Sequence, residues 1–469
     1  MSIVEEVFNK PFYEVFETFE SDVLGSGAIA QVYRAKLRSN LLPPSYLSAK
    51  RKAQMMTPLD PFPPPAPVPS AYVAVKVLHP KVEDMIRRDL SIMKFFAKAL
   101  SMVPSLGWLS LDQEVEIFGS MMYEQLDLRH EARNLKRFED NFKSRRAAIS
   151  FPRPLEDYST DKLLLEEFED AVPMTAFLRN GGGRYERQIA TAGLDAFLVC
   201  RPHSINGGLL ITYLQNMLLL DNFVHADLHP GNILVKFYKP TTRFVLQSIA
   251  ASLFNTAQPI DPINDKDAEA TVKLLQYLRK GKQEEWRAAL DAMHKEGYQP
   301  ELVFLDAGLV TTLDETDRRN FLDLFRAIAT FDGYTAGKLM VERCRAPELA
   351  LEPETFALKM QHLVLSVKAK TFSLGQIRIA DILSEVLRMV REHHVKMEGD
   401  FVNTVISVLL LEGIGRQLDP GMDLFKNALP ILRQLGRQAY AKEAIAELPG
   451  GNFGAMFKVC YVSMNRQYH

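Results

Sequence analysis

The 469-residue chain is expected to fold as a two-lobed α+β protein, with a small mixed lobe followed by a large helical one. Two patterns predict this. Alternating apolar and polar residues, the mark of half-buried strands, are confined to the first part of the chain, where one or two helical patterns accompany them. Helical spacing then dominates from residue 315 to the end. Strands first and helices later is the order of a segregated α+β architecture. The composition admits it, since 47% hydrophobic and 24% charged residues suit a globular chain and not a disordered one.

The elements follow in order. Residues 1–20 are acidic and aromatic, with no basic n-region and no Arg/Ser-rich leader. Residues 22–37 (DVLGSGAIAQVYRAKL) read as a glycine turn entering a strand. Residues 38–70 hold nine of the 26 prolines, and proline removes donors and fixes φ, so this stretch is expected to be an exposed linker inserted between neighbouring strands. The β-branched run from Tyr72 to Val77 resumes the sheet. Helical spacing is predicted over 81–100 and, as one region, over 112–142. A strand follows at 162–168, a loop at Gly181-Gly182-Gly183, and helix over 187–224. A second interruption, 237–300, carries two amphipathic patterns and is read as a surface helical hairpin. The lobes are accordingly placed at 1–168 and 169–469, with insertions at 38–70 and 237–300.

Charge and cysteine content exclude several functions. With 56 basic and 58 acidic side chains the net charge is −2, which argues against a polybasic nucleic-acid binder. Three well-separated cysteines, Cys200, Cys344 and Cys460, give neither a disulfide framework nor a cysteine-built zinc site. No run reaches the ~18 apolar residues that a membrane-spanning helix requires.

Four short segments carry the chemistry, and their order matters more than any one of them. In Gly25-Ser26-Gly27-Ala28 the glycines let backbone N–H groups approach phosphate oxygens. In Val73-Ala74-Val75-Lys76 an apolar strand delivers an ammonium that can neutralise phosphates, provided a carboxylate holds it in the cleft. His225-Ala226-Asp227-Leu228-His229-Pro230-Gly231-Asn232 matches the H-x-D-L-x-x-x-N catalytic loop. There an Asp positions or deprotonates the attacking hydroxyl, and the Asn five residues on reaches a metal. In Phe304-Leu305-Asp306-Ala307-Gly308 a strand ends in a carboxylate suited to Mg²⁺ bridging phosphates. Together they form a phosphoryl-transfer constellation.

On these residues the chain resembles the UbiB-like, or aarF-domain, atypical kinases over nearly its whole length. The carrying segments are GSGAIAQVYRA, VAVKVLHP, DLRHEARNLKRF, FVHADLHPGNILV and FLDAG. The resemblance implies a protein-kinase-like fold using ATP or ADP with Mg²⁺. It also implies Lys76 paired with Glu131, Asp227 as the catalytic aspartate, Asn232 and Asp306 on the metal, and Glu166 to Phe168 at the hinge that grips adenine. Asp127 and Glu131 are expected to face the cleft together from one helix. A mitochondrial location, a role in ubiquinone biosynthesis or lipid homeostasis, and peripheral membrane contact are further expectations of the family.

The chain departs from the family pattern at four points. It begins downstream of the usual Lys-x-Gly-Gln motif, has Gln125 for the Glu of Glu-x-Asp, has glycines in place of an alanine-rich nucleotide loop, and has Ala307 where Phe is usual. Two other readings stand beside this one: a zinc hydrolase built on His225, Asp227 and His229, and a nucleotide-binding scaffold without turnover.

Overall fold

The computed structural model describes residues 1–47, 71–102, 110–142, 149–197, 222–239, 266–312, 314–372, 379–397 and 399–420. These fall into two compact units. One runs from Met1 to Thr312 and takes in the helical segment from Asn403; the other comprises the described residues between Leu313 and Val402. The expected lobe boundary at 168 lies inside the first unit. No described helix is long and apolar enough to cross a membrane.

Within the first unit the N-terminal part is a four-stranded antiparallel sheet in the order β1 (Phe16–Ser26), β2 (Ala30–Leu37), β3 (Tyr72–Leu78) and β5 (Leu163–Glu167). One face is apolar. Val73 and Val75 from β3, with Leu163 and Leu165 from β5, pack against Val4 and Phe8 of the helix Ser2–Phe8 and against Val15. The aromatic N-terminus, given no structure by its pattern, thus supplies the outer layer of this core. Because alternate residues of a strand point to opposite faces, Ala74, Lys76, Leu164 and Glu166 lie on the other side.

The first part of the proline-rich insertion is not linker. Leu41 and Tyr46 are buried in the same cluster, and the Tyr46 carbonyl accepts from Arg153 Nη1 at 2.6 Å. Residues 48–70 lie outside the described residues.

The sheet's second face looks toward the helix Leu128–Phe142. Leu128, Ala132, Leu135, Phe138 and Phe142 form its buried stripe, and Glu131 occupies a place in that stripe where an apolar residue would be the rule. The region 112–142 is two helices, Leu111–Glu124 and Leu128–Phe142, broken at Gln125–Asp127. Asp127 therefore does not share a helical face with Glu131. It caps the second helix, accepting from the Arg129 N–H at 3.0 Å, and pairs with the Arg129 side chain at 2.8 Å.

A second four-stranded sheet has the order β4 (Ile149–Ser150), β9 (Gln299–Phe304), β8 (Ile233–Tyr238) and β6 (Val172–Pro173). Two short strands, β7 (Val224–His225) and β10 (Val310–Thr311), pair beside it. Phe138 stacks on Phe151 at 4.8 Å and meets Phe223 at 4.5 Å, so a single helix ties Glu131 to the core beneath the second sheet.

The second insertion is packed, not a loose surface hairpin. β8 extends through Tyr238 and β9 begins at Gln299. Of the helices between them, Gln283–Lys295 buries Trp286, Leu290 and Met293. The Trp286 indole donates to the Gly181 carbonyl at 2.7 Å and its ring meets Phe177 edge-on. Gly181, at φ 85°, makes a turn that a side chain would strain. The helix predicted over 187–224 is Glu186–Phe197 among the described residues, and β7 already begins at Val224.

The second unit is helical, with helices at Glu315–Ala329, Gly333–Glu342, Pro353–Phe372 and Ile379–Glu392 around a core that includes Leu324, Met340, Phe356, Met360 and Met389. Asp314 and Asp332 cap the first two, each accepting a backbone N–H three residues on.

Candidate active site

The site begins with a buried ion pair. Lys76 Nζ donates to both Glu131 oxygens at 2.8 Å and lies 3.2 Å from Asp306 Oδ1. The lysine comes from β3, an inner strand of the first sheet, the glutamate from the bridging helix and the aspartate from just beyond the end of β9. Three segments far apart in sequence thus meet at one ammonium. Burial alone would favour the neutral amine, but the Glu131 and Asp306 carboxylates outweigh it and hold Lys76 above the ordinary lysine range. Burial pushes the Glu131 carboxyl up to about 7, Lys76 opposing the rise. For Asp306 burial is outweighed by Lys76, which holds it below the usual carboxylate range.

Asp306 sits in a turn with φ 52°, a conformation uncommon outside glycine but tolerated by Asp. Its Oδ1 accepts the Gly308 N–H at 3.3 Å. The following residue, Ala307, is fully buried, and its carbonyl accepts from Asn134 Nδ2 at 2.9 Å. Asn134, three residues after Glu131, therefore fixes the turn from the same helix that holds Lys76.

The catalytic-loop segment adjoins it. Ile233 pairs with Phe304 across β8 and β9, and Leu305 N–H donates to the Asn232 carbonyl at 2.8 Å, so the Asn232 and Asp306 backbones leave neighbouring strand ends. Asn232 Nδ2 donates to Asp227 Oδ2 at 3.2 Å. His225 is wholly buried, and burial lowers its pKa. Its Nδ1 accepts the Asp227 N–H at 3.2 Å, which leaves Nε2 as the N–H donating to the Leu305 carbonyl at 3.1 Å. A neutral His225 thereby links the Asp227 loop to the strand that delivers Asp306. Both ring nitrogens are committed, so the zinc-hydrolase reading falls. His229 is likewise occupied, its Nδ1 accepting from Gly231 N–H at 3.0 Å.

The glycine segment caps the β1–β2 hairpin. Gly25 pairs with Val32 and Ser26 with Gln31, and Gly27 N–H donates to the Ala30 carbonyl at 2.9 Å, with Ala28 at the tip. Val32 also pairs with Lys76, so Gly25 lies two strand spacings, about 10 Å, from the lysine. A Cβ added at Gly25 or Gly27 would meet open space or an ordinary contact, so steric need does not account for these glycines.

Glu166 is 6% exposed at the end of β5, and its Oε2 has no hydrogen-bond partner. Burial, reinforced by the Glu131 charge, pushes it up to about 8. The Phe168 ring lies under the Arg34 guanidinium at 4.7 Å, and its N–H donates to the Tyr72 carbonyl.

Sequence reasoning assigned no role to Asn134, and considered His225 only as a zinc ligand, not as a bridge between the Asp227 loop and the strand before Asp306. The signal for Asn134 was its i+3 spacing from Glu131; nothing local marks His225 as a bridge.

Among the described residues no group of three or more His, Cys, Asp or Glu side chains could hold a metal ion. Mg²⁺ needs no such cage, since it takes one or two protein oxygens and completes its shell with water and phosphate. The oxygen donors of Asn232 and Asp306 fit that requirement.

Comparison with known proteins adds family information. Residues 68–248 match the ABC1 atypical kinase-like domain and residues 368–423 the UbiB helical domain. A mitochondrial ABC1 family protein of Schizosaccharomyces pombe is 43% identical over 90% of this chain and 55% of its own length. One from Saccharomyces cerevisiae is 39% identical over 92% of this chain and 60% of its own. A probable serine/threonine-protein kinase of Dictyostelium discoideum, abkC, is 30% identical over 92% and 56%. The chain thus spans somewhat over half the length of these relatives. The solved Rv3197–erythromycin complex of Mycobacterium tuberculosis aligns over 91% of this chain and 82% of its own, at TM-score 0.45 and 15% identity.

Proposed function

Because the chain belongs to the ABC1/UbiB family of atypical kinases, we propose that it is a Mg²⁺-dependent ATP-using enzyme, a kinase or ATPase, with its reaction centre between Lys76 and Asp227. The observation that carries this reading is the meeting of Lys76, Glu131 and Asp306. An ammonium and a carboxylate suited to a metal converge there. Glu131 fixes the ammonium so that its charge falls on phosphate oxygens rather than in solvent. Asn232 and Asp306 would hold Mg²⁺, which neutralises charge as a phosphoryl group transfers. Asp227, hydrogen-bonded to Asn232 and with its N–H donating to His225, would orient an acceptor hydroxyl or water and take its proton. The hairpin tip at Gly25 to Ala28 would close over the phosphates with its N–H groups, and Glu166 to Phe168 would border the base.

The names of the two fungal relatives support a mitochondrial location. A quinone or lipid acceptor fits the expectation drawn from the family. Peripheral membrane contact is supported by the helix Val82–Ser101, which exposes Ile92, Met93, Phe95 and Phe96.

Thermal stabilisation by ATP and by ADP, with and without Mg²⁺, tests nucleotide binding. It should require an intact Lys76 and weaken in Lys76→Ala. Phosphate release from ATP by wild type, lost in Asp306→Asn, tests turnover. Stabilisation without release by the wild type would instead favour the scaffold reading.

A further inference from the structure

His229 lies two residues beyond Asp227, and its half-exposed ring is held in one orientation. It caps the single turn Pro230–Asn232, its Nδ1 accepting the Gly231 N–H at 3.0 Å. With Nδ1 taken by that N–H, the ring proton sits on Nε2. The ring lies so close over residue 231 that a Cβ there would come within 2.6 Å of Cε1 and 2.8 Å of Nδ1. Position 231 therefore admits only glycine while the imidazole keeps its place.

A cap by itself does not call for imidazole. Ser, Thr, Asp or Asn accepts the same N–H with a smaller side chain. What imidazole adds is a second nitrogen. His229 Nε2 lies 3.7 Å from Asp227 Oδ2. Asn232 Nδ2 reaches the same oxygen at 3.2 Å, and the Asp227 carbonyl at 3.2 Å. Two donors carried by one tight turn thus converge on Oδ2. Among the described residues no donor engages Asp227 Oδ1, and the side chain is 39% exposed.

We propose that His229 is a positioning residue for phosphoryl transfer: its Nε2–H and the Asn232 amide hold Asp227 Oδ2, so that Oδ1 faces the acceptor and takes its proton. This rests on the kinase or ATPase reading. As the acceptor oxygen bonds the terminal phosphorus of ATP, the bond to ADP breaks with its electron pair on ADP, and the acceptor proton passes to Oδ1. A carboxylate free to turn would spend time with neither oxygen aligned, and holding one oxygen removes that orientational cost from the barrier. Catalytic hydrogen bonds are commonly long before substrate binds and tighten in the complex, which suits the 3.7 Å separation.

The test compares phosphate release from Mg²⁺–ATP by the full chain as wild type, His229→Asn and His229→Gln. Asn sets an oxygen where Nδ1 was and keeps the cap, but is too short to reach Asp227. Gln extends an amide toward Asp227 and gives up the cap. His229→Asn should lose roughly tenfold in kcat, the size of one hydrogen bond to a charged group, with KM for ATP and the thermal shift by ATP little changed. His229→Gln should stay nearer the wild-type rate. A wild-type kcat in His229→Asn, or a greater loss in His229→Gln, reduces His229 to a cap and overturns the assignment while leaving the enzyme reading intact. A second readout needs no turnover. In nitrogen NMR of the histidine rings in mildly alkaline buffer, the His229 signals, identified by their absence in His229→Asn, should show the Nε2–H tautomer and shift in Asp227→Asn. Signals indifferent to Asp227→Asn also overturn it. If wild type binds Mg²⁺–ATP and releases no phosphate, the enzyme reading fails, and the positioning role fails with it.

Discussion

Lys76 illustrates how one residue acquires a function from its surroundings. On a solitary strand its ammonium would reach for water; here two Glu131 oxygens hold it at 2.8 Å. The same crowding leaves carboxyls with raised pKa values, and for Glu166 this has a measurable sign. A carboxyl whose folded value of about 8 exceeds its ordinary 4.5 binds more protons in the native than in the unfolded state. Its contribution to stability is therefore present below pH 4.5 and is lost as the pH rises toward 8. Glu166→Gln should flatten this decline, so the gap between variant and wild-type melting temperatures should move in the variant's favour from pH 5 to pH 8.5. A gap that stays constant with pH would count against a protonated Glu166. Asn134→Ala gives a second residue-scale expectation. It removes the hydrogen bond to Ala307 that fixes the Asp306 turn, so at saturating ATP the Mg²⁺ requirement should rise severalfold, with a stability loss of only ~1 kcal/mol. An unaltered Mg²⁺ requirement would reduce Asn134 to a packing role.

At the scale of elements, close approach matters as much as chemistry. In the second unit the helices Gly333–Glu342 and Pro353–Phe372 touch through glycines, where a Cβ on Gly337 would come within 2.7 Å of Ala357 Cα and one on Gly333 within 2.6 Å of the Met360 carbonyl. Backbone cannot yield as a side-chain tip does, so Gly337→Ala should destabilise this unit by ~1–3 kcal/mol, read by calorimetry or denaturant midpoint. A neutral result would mean that the helices can separate without loss. Elements also show where patterns were sufficient. The strand predicted from Tyr72 to Val77 is β3, and the helix predicted over 81–100 is Val82–Ser101, because each carries an unbroken period of apolar residues. The region 112–142 failed as a single helix because Asp127 makes a better cap than a continuation. The linker expected over 38–70 does not begin at residue 38, because proline density gives no sign that Leu41 and Tyr46 reach back into the core.

For the whole molecule, Trp286 belongs to the first compact unit, where its ring meets Phe177 edge-on. Its fluorescence, read in a Trp108→Phe chain, therefore reports that unit alone, whereas helical circular dichroism reports both. A nucleotide bound at the Lys76 site stabilises what it binds, by about 2.7 kcal/mol at a hundredfold excess over its dissociation constant. Mg²⁺–ATP should thus raise the fluorescence-detected melting temperature more than the dichroism-detected one. Equal shifts by both probes would show that the two units unfold as one.

The segments that carry the chemistry could be read from sequence because each is local: a strand ending in lysine, an Asp–Asn loop, a carboxylate before glycine, all set by short-range backbone preferences and side-chain spacing. Tertiary structure alone decided that Asp306 joins Glu131 on the Lys76 ammonium, that His225 is neutral and bridges two loops, that Trp286 packs against Phe177, and that Glu166 Oε2 has no partner. Those outcomes depend on burial and on contacts between residues as many as 230 positions apart, from Lys76 to Asp306, and a pattern of neighbours along the chain carries no record of them.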